Sequence, residues 1–217
     1  MFKENLLKDA LRFYAGQHVL DRVLDKGPAA LLMDHEARTM TMLWIDVRGF
    51  TKVDESLSPE MLYAAIGEHQ QRVFACIGRH GGTVDSLVGD ATLATWDKAA
   101  SADYAKLALQ CAEELVRVTD PAQFGIKVNI GLHTGRVLLG NIGTPARARF
   151  TVLGDAVNLA SRLCSRCPGF GVSTLFTEAT LQASGNAMPA RELETIRVKG
   201  MDDPVRLFTL ESTAQPA

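Results

Sequence analysis

Apolar residues along this chain recur with two periods, near two and near three and a half, and the switches between them mark out the elements. Leu6, Leu7, Ala10, Leu11 and Tyr14 fall at helical spacing, and Val19, Val23 and Leu24 continue the stripe after Gly16. Residues 1–38 are therefore expected to be an N-terminal helical segment. It packs on the domain or on a second copy, or it is a signal-transducing helix of a longer protein. Met40 to Trp44 reads as a buried strand, and the strand ends at Asp46. Ser58-Pro59 opens a long helix: the serine can cap it and the proline suits the first helical position. Leu62, Ile66, Val73 and Ile77 mark its buried face, and His80-Gly81-Gly82 ends it with a left-handed glycine.

Thr83 to Leu87 and Ala91 to Trp96 read as a hairpin around Gly89-Asp90. Residues 99–118 form a second amphipathic helix carrying Leu107, Cys111, Leu115 and Val118, and Asp120-Pro121 stops it. From Phe124 to His133, Ile126, Val128 and Ile130 alternate with Lys127, Asn129 and Gly131, the mark of a strand. Gly135 is read as a turn, with Arg136 to Ile142 returning as another strand. A helix follows Gly154-Asp155, from about Ala156 to Cys164, and Pro168-Gly169 breaks it. Residues 171–176 and 189–198 are further strands, with a short helix from Thr177 to Ser184 between them, and Pro204 to Leu210 is the last strand. The order strand, helix, hairpin, helix, strand gives an α/β fold, an α+β sandwich with an antiparallel-rich sheet and helices on one side. Residues 39–211 are expected to be the main domain, and 212–217 a frayed tail.

With 217 residues, 47% of them hydrophobic, the chain suits one globular domain plus a short extra segment. A net charge of −2 gives no reason to expect nucleic acid or an anionic membrane as partner. No apolar run reaches the ~18 residues of a membrane span. Met1-Phe2-Lys3-Glu4-Asn5 is not followed by the apolar core of a signal peptide. The expected location is the cytoplasm. Cys76 and Cys111 sit in helical patterns and read as small buried apolar groups. Cys164-x-x-Cys167 has the spacing of a redox or zinc pair, but no second pair or nearby histidine completes a set of about four ligands.

The candidate chemistry lies in two carboxylates. Asp46 ends a strand and precedes Val47-Arg48-Gly49-Phe50-Thr51, while Asp90 follows a strand and a glycine in Leu87-Val88-Gly89-Asp90. Carboxylates are donors for hard cations, which points to magnesium or manganese. Two such ions about 3.5–4 Å apart can hold the attacking and leaving oxygens of an in-line phosphoryl displacement. Backbone N–H groups around Gly49, Phe50 and Thr51 can bind phosphate. Asn158 and Arg162, spaced i, i+4, share a helix face, and an arginine there can meet charge developing on a phosphate. Lys199, in Val198-Lys199-Gly200, can hold a terminal phosphate. Each residue also has a plainer reading, as a turn aspartate, a solvated helix face or a loop lysine.

Taken together these stretches resemble the class III nucleotidyl cyclase catalytic domain, the adenylyl and guanylyl cyclase family. The likeness runs from about Thr41 to Leu210. It rests on Asp46 to Thr51, Gly81-Gly82-Thr83-Val84 through Gly89-Asp90, Ile130-Gly131-Leu132-His133-Thr134-Gly135, Leu153 through Arg162, and Val198-Lys199-Gly200. The resemblance implies a ferredoxin-like βαββαβ core. It implies that Asp46 and Asp90, with the Val47 carbonyl, bind two divalent ions, Mg2+ or Mn2+. Asn158 then orients the ribose, Arg162 stabilises the pentavalent phosphorus and Lys199 binds the pyrophosphate end. It also implies a head-to-tail homodimer with two composite sites, the aspartates coming from one chain and the Asn/Arg pair from the other.

Two base-reading positions depart from the family or divide it. Ser86 stands where adenylyl cyclases commonly carry a lysine and guanylyl cyclases a glutamate, and its partner position is Thr151, as in bacterial adenylyl cyclases. A serine hydroxyl can donate or accept, so it discriminates weakly. Asn129 stands where a phosphate-binding arginine is common, and Lys127 on the same strand face is a substitute. The expected reaction is conversion of a nucleoside triphosphate to a 3′,5′-cyclic nucleotide and pyrophosphate, with ATP first. The alternatives are a UTP or CTP cyclase of the bacterial anti-phage kind, or a silent cyclase-like binding module.

Overall fold

The computed structural model describes residues 2–48, 58–118, 127–144, 146–197 and 204–211. Helices α1 (Phe2–Ala15) and α2 (Gln17–Lys26) and a 3₁₀ turn (Gly27–Leu31) lead into strand β1 (His35–Arg48). Then come α3 (Pro59–Arg79), β2 (Thr83–Val88), β3 (Ala91–Asp97) and α4 (Tyr104–Val118). After them follow β4 (Lys127–Thr144), β5 (Arg147–Leu153), α5 (Asp155–Arg166), β6 (Thr174–Thr177), α6 (Glu178–Ala183), β7 (Ala190–Ile196) and β8 (Val205–Leu210). The predicted N-cap is present: Ser58 accepts from the Met61 N–H, with Pro59 in the first turn. Gly81 takes the left-handed conformation that ends α3, and Gly89 takes it in the β2–β3 hairpin.

Two compact units are present, Met1–Ala37 with Leu138–Leu153, and Arg38–Val137 with Gly154–Ala217. Within the smaller, β5 pairs antiparallel with Leu138–Thr144 of β4. Asn141 Nδ2 donates to the carbonyls of Ala30 (2.8 Å) and Leu32 (2.6 Å). The Arg22 guanidinium lies 4.4 Å from the Phe150 ring centre and 3.0 Å from Asp34. On α1, Leu7, Phe13 and Tyr14 are exposed.

The larger unit holds the strand order β2-β3-β1-β4-β6-β8-β7. The β1–β3, β2–β3, β6–β8 and β7–β8 pairs are antiparallel, and β4–β6 is parallel. Alternation along the strands divides two cores. Leu43, Ile45, Ile130, Leu132, Phe176 and Phe208 meet α3 and α4 through Val73, Ile77, Leu109 and Leu115. Residues one step out of phase, Leu175 and Leu207, meet α5 through Leu159 and Leu163. Helices therefore cover both faces of the sheet, not one. Among the described residues no helix is long and apolar enough to cross a membrane.

Strand β4 corrects a second expectation. Gly135 does not turn the chain, and the strand runs unbroken from Lys127 to Thr144. Its glycines answer to packing instead. A Cβ on Gly131 would stand 2.1 Å from the Ala160 carbonyl oxygen and 2.3 Å from the Cys164 nitrogen. Backbone of α5 thus lies directly on β4, and only glycine leaves room. His133 lies on the same unbroken strand. It is buried, with Nδ1 2.8 Å from Thr177 Oγ1, and burial pushes its pKa from 6.5 down to about 4.

Two predictions follow from β4. Gly131→Ala is expected to destabilise the chain by about 1–3 kcal/mol, because helix backbone must move; urea unfolding measures it. The neutral His133 makes the folded chain bind fewer protons than the unfolded chain below pH 6.5. Stability is therefore lost as pH falls from about 6.5 to about 4, by on the order of 3 kcal/mol. His133→Asn is expected to flatten that part of a urea-midpoint profile against pH.

Candidate active site

Antiparallel register builds the site. Trp44 pairs with Leu93 and Ile45 with Thr92, so one further step sets Asp46 opposite Ala91, beside Asp90. The two carboxyl groups come within hydrogen-bonding reach of one another. Asp46 is fixed by the Val47 N–H, which donates to its Oδ1 at 3.0 Å. Burial, with the Asp90 charge second, pushes the Asp46 carboxyl up to about 6. Repulsion between two half-buried carboxylates is relieved by a cation between them, and an all-oxygen donor set fits a hard divalent ion. Val47, the third expected ligand, is buried on the same strand end.

Other expected residues are distributed as follows. Asn158 and Arg162 lie one turn apart on the exposed face of α5, while Leu159, Ala160, Leu163 and Cys164 form its packed face. Ser86 is buried in β2, beside a register shift between Val84 and Ser86. Thr151 belongs to the smaller unit, on β5 opposite Gly140. Gly49, Phe50, Thr51 and Lys199 lie outside the described residues. Lys127 is exposed at the start of β4.

Sequence reasoning missed two neighbours of the carboxylates. His69, buried on α3, lies close enough to Asp90 to feel its charge, and burial lowers its pKa. Its position one turn before Val73 on the buried helix face was the available signal. Arg48, two residues past Asp46, donates from Nε to Asn129 Oδ1 (3.0 Å) and from Nη2 to the Val172 carbonyl (2.8 Å). Asn129 is thus the buried acceptor that anchors an arginine from the adjacent strand. The Cys164/Cys167 pair packs against β4: Cys164 Sγ donates to the Asn129 carbonyl and Cys167 Sγ to that of Ile130. Burial holds both thiols high, Cys167 at about 12, which suits inert packing groups.

Known proteins share this fold. The sequence matches the adenylate and guanylate cyclase catalytic domain over residues 32–212. It is 29% identical over 186 residues to an adenylate cyclase of Anabaena cylindrica, covering 81% of this chain and 37% of that protein. It is 29% identical over 178 residues to an adenylate cyclase of Rhizobium meliloti, covering 78% of this chain and 27% of that protein. The chain thus spans well under half the length of these relatives. A bacterial light-regulated adenylyl cyclase superposes with a TM-score of 0.86 at 18% identity, over 98% of this chain and 63% of that one. A guanylyl cyclase structure superposes with a TM-score of 0.73 at 30% identity, over 85% of this chain and 97% of that one. A match that runs through nearly the whole of the larger unit leaves one assignment: the chain belongs to the class III nucleotidyl cyclases, the enzyme family of adenylate and guanylate cyclase catalytic domains.

Proposed function

We propose that this chain converts a nucleoside triphosphate, ATP foremost, into its 3′,5′-cyclic nucleotide and pyrophosphate. The observation that carries the reading is the pair Asp46 and Asp90, held face to face against their mutual repulsion at the end of β1. That pair, with the Val47 carbonyl, would hold two magnesium or manganese ions, which acidify the ribose 3′-hydroxyl and neutralise phosphate charge. The 3′-hydroxyl gives its proton to solvent water, its oxygen bonds to the α-phosphorus, the bond from that phosphorus to the α,β-bridging oxygen breaks, and pyrophosphate leaves with that oxygen. Asn158 orients the ribose, and Arg162 meets the charge that develops at phosphorus. Backbone amides of Gly49, Phe50 and Thr51 and the ammonium of Lys199 hold the phosphate chain. Ser86 is the base-reading position of the larger unit, and Thr151 that of the smaller. His69 and Arg48 are positioning residues for Asp90 and for the end of β1.

Asn158 and Arg162 face outward on α5, which supports their acting on a triphosphate held by a second copy. The assembly is then a homodimer with two composite sites, working in the cytoplasm, where nucleoside triphosphates are plentiful. Relatives named adenylate cyclase support ATP. A second reading, UTP or CTP, draws on Ser86, a buried hydroxyl that offers neither the positive nor the negative group of a purine reader.

Offered ATP, GTP, CTP and UTP separately with Mn2+, the chain is expected to yield cyclic AMP, read by mass spectrometry. A cyclic pyrimidine nucleotide alone would move the assignment to the second reading, and no cyclic product from any of the four would sink both. Asp46→Ala and Arg162→Ala are each expected to lower turnover by about 100-fold or more. Mixed together they should regain activity through one intact composite site, and no recovery would count against the shared-site dimer. Mn2+ is also expected to raise the thermal midpoint of the wild-type chain, with the effect lost in Asp46→Asn.

A further inference from the structure

A second set of donor atoms lies where the end of α3 meets α4. Cys76 and His80, four residues apart, share a face of the α3 terminus, and Cys111 comes from α4. Cys76 Sγ is 3.7 Å from Cys111 Sγ and 3.9 Å from His80 Nδ1. The three ligand atoms all lie within 4.8 Å of one another. A tetrahedral zinc ion with bonds of about 2.3 Å to sulfur and about 2.0–2.1 Å to nitrogen needs its ligand atoms about 3.8 Å (S to S) and about 3.6 Å (S to N) apart. The two separations from Cys76 Sγ are within a few tenths of an ångström of that geometry, and the third, from Cys111 to His80, is at most 4.8 Å.

The surroundings suit an ion as well. Both thiols are buried, while the His80 side chain keeps 17% of its surface exposed and offers a route in. Glu114 Oε2 lies 3.5 Å from His80 Nε2, and the Arg79 ion pair holds Glu114 there. A carboxylate behind a ligating imidazole is the usual device for orienting it. Nothing in the cyclase chemistry uses this cluster. The six residues of β2 separate His80-Gly81-Gly82 from the Asp90 turn, about 20 Å of extended chain.

We propose that Cys76, His80 and Cys111 form a binding site for a borderline-soft divalent cation of the zinc type, tying α3 to α4. Two thiolates and an imidazole select such an ion over the magnesium or manganese of the carboxylate pair. On binding, both thiol protons leave to solvent. His80 presents Nδ1 to the ion, releasing the Cys76 carbonyl 3.0 Å away, and donates Nε2–H to Glu114, a positioning residue. Water fills the fourth place.

The test is titration of Co2+ alone into the reduced 217-residue chain, following the thiolate-to-cobalt charge-transfer absorption that a carboxylate site cannot give. One equivalent per chain is expected, in the wild type and equally in Asp46→Asn and Cys164→Ser, and Zn2+ should displace it. Cys111→Ser should abolish the band, and Glu114→Gln should weaken binding by about tenfold. Should Cys111→Ser fail to fold, His80→Gln, at a partly exposed side chain, decides the matter by loss of the band. No band in the folded, reduced wild type would overturn the site, even if Cys76 and Cys111 then oxidise to a disulfide. A band unchanged in His80→Gln, or one lost in Cys164→Ser, would overturn it too.

Discussion

Two like charges placed side by side organise the larger unit. Antiparallel pairing of β1 with β3 leaves no choice about where Asp46 points relative to Asp90, because strand register is fixed by alternation of buried residues on both strands. Leu43 and Ile45 are committed to the core shared with α3 and α4, so Asp46, on the opposite phase, stands at the strand end with Asp90 as its neighbour. The energy of the buried core thus holds together a pair that would separate if it were free to do so. Burial and the neighbouring Asp90 charge push the Asp46 carboxyl up to about 6, a cost that a cation held between the pair would remove.

The opposite face of the sheet positions the second pair of proposed site residues, Asn158 and Arg162. Gly131 lets the backbone of α5 lie on β4, and the thiols of Cys164 and Cys167 plug into β4 carbonyls below it. With the apolar side of α5 locked in this way, Asn158 and Arg162 are turned outward. Their exposure is the packing complement of Leu159 and Leu163, which face inward. Arg48 then ties the end of β1 to β4 and to the entry of β6 through Asn129 and Val172. The strand end that carries Asp46 is therefore anchored on both sides.

The cluster at the α3–α4 junction belongs to the same core but to other chemistry. Cys76 and Cys111 are as fully buried as the leucines around them, and sequence patterning alone assigns them to packing. What distinguishes them is that each is the other's neighbour, and that His80, at the helix end, folds back over Cys76 with Glu114 behind it.

The sequence by itself determined what depends on residues a few positions apart. It supplied the cap at Ser58, the end of α3 at Gly81, the hairpin at Gly89, the amphipathic face of α5, and the motifs that mark the family. Local dihedral preference and helical or strand period act over such distances, so a single chain displays them openly. The tertiary structure alone decided what joins distant positions. Examples are the unbroken run of β4 through Gly135, the helices on both faces, the Arg48–Asn129 bond across 81 residues and the Cys76–Cys111 contact across 35. Gly135 shows the reason. A glycine's local freedom is compatible with a turn, but ladder pairing on both sides of it, with β6 and with β5, keeps the strand extended. Which of two locally allowed states wins is settled by partners that only the folded chain brings near.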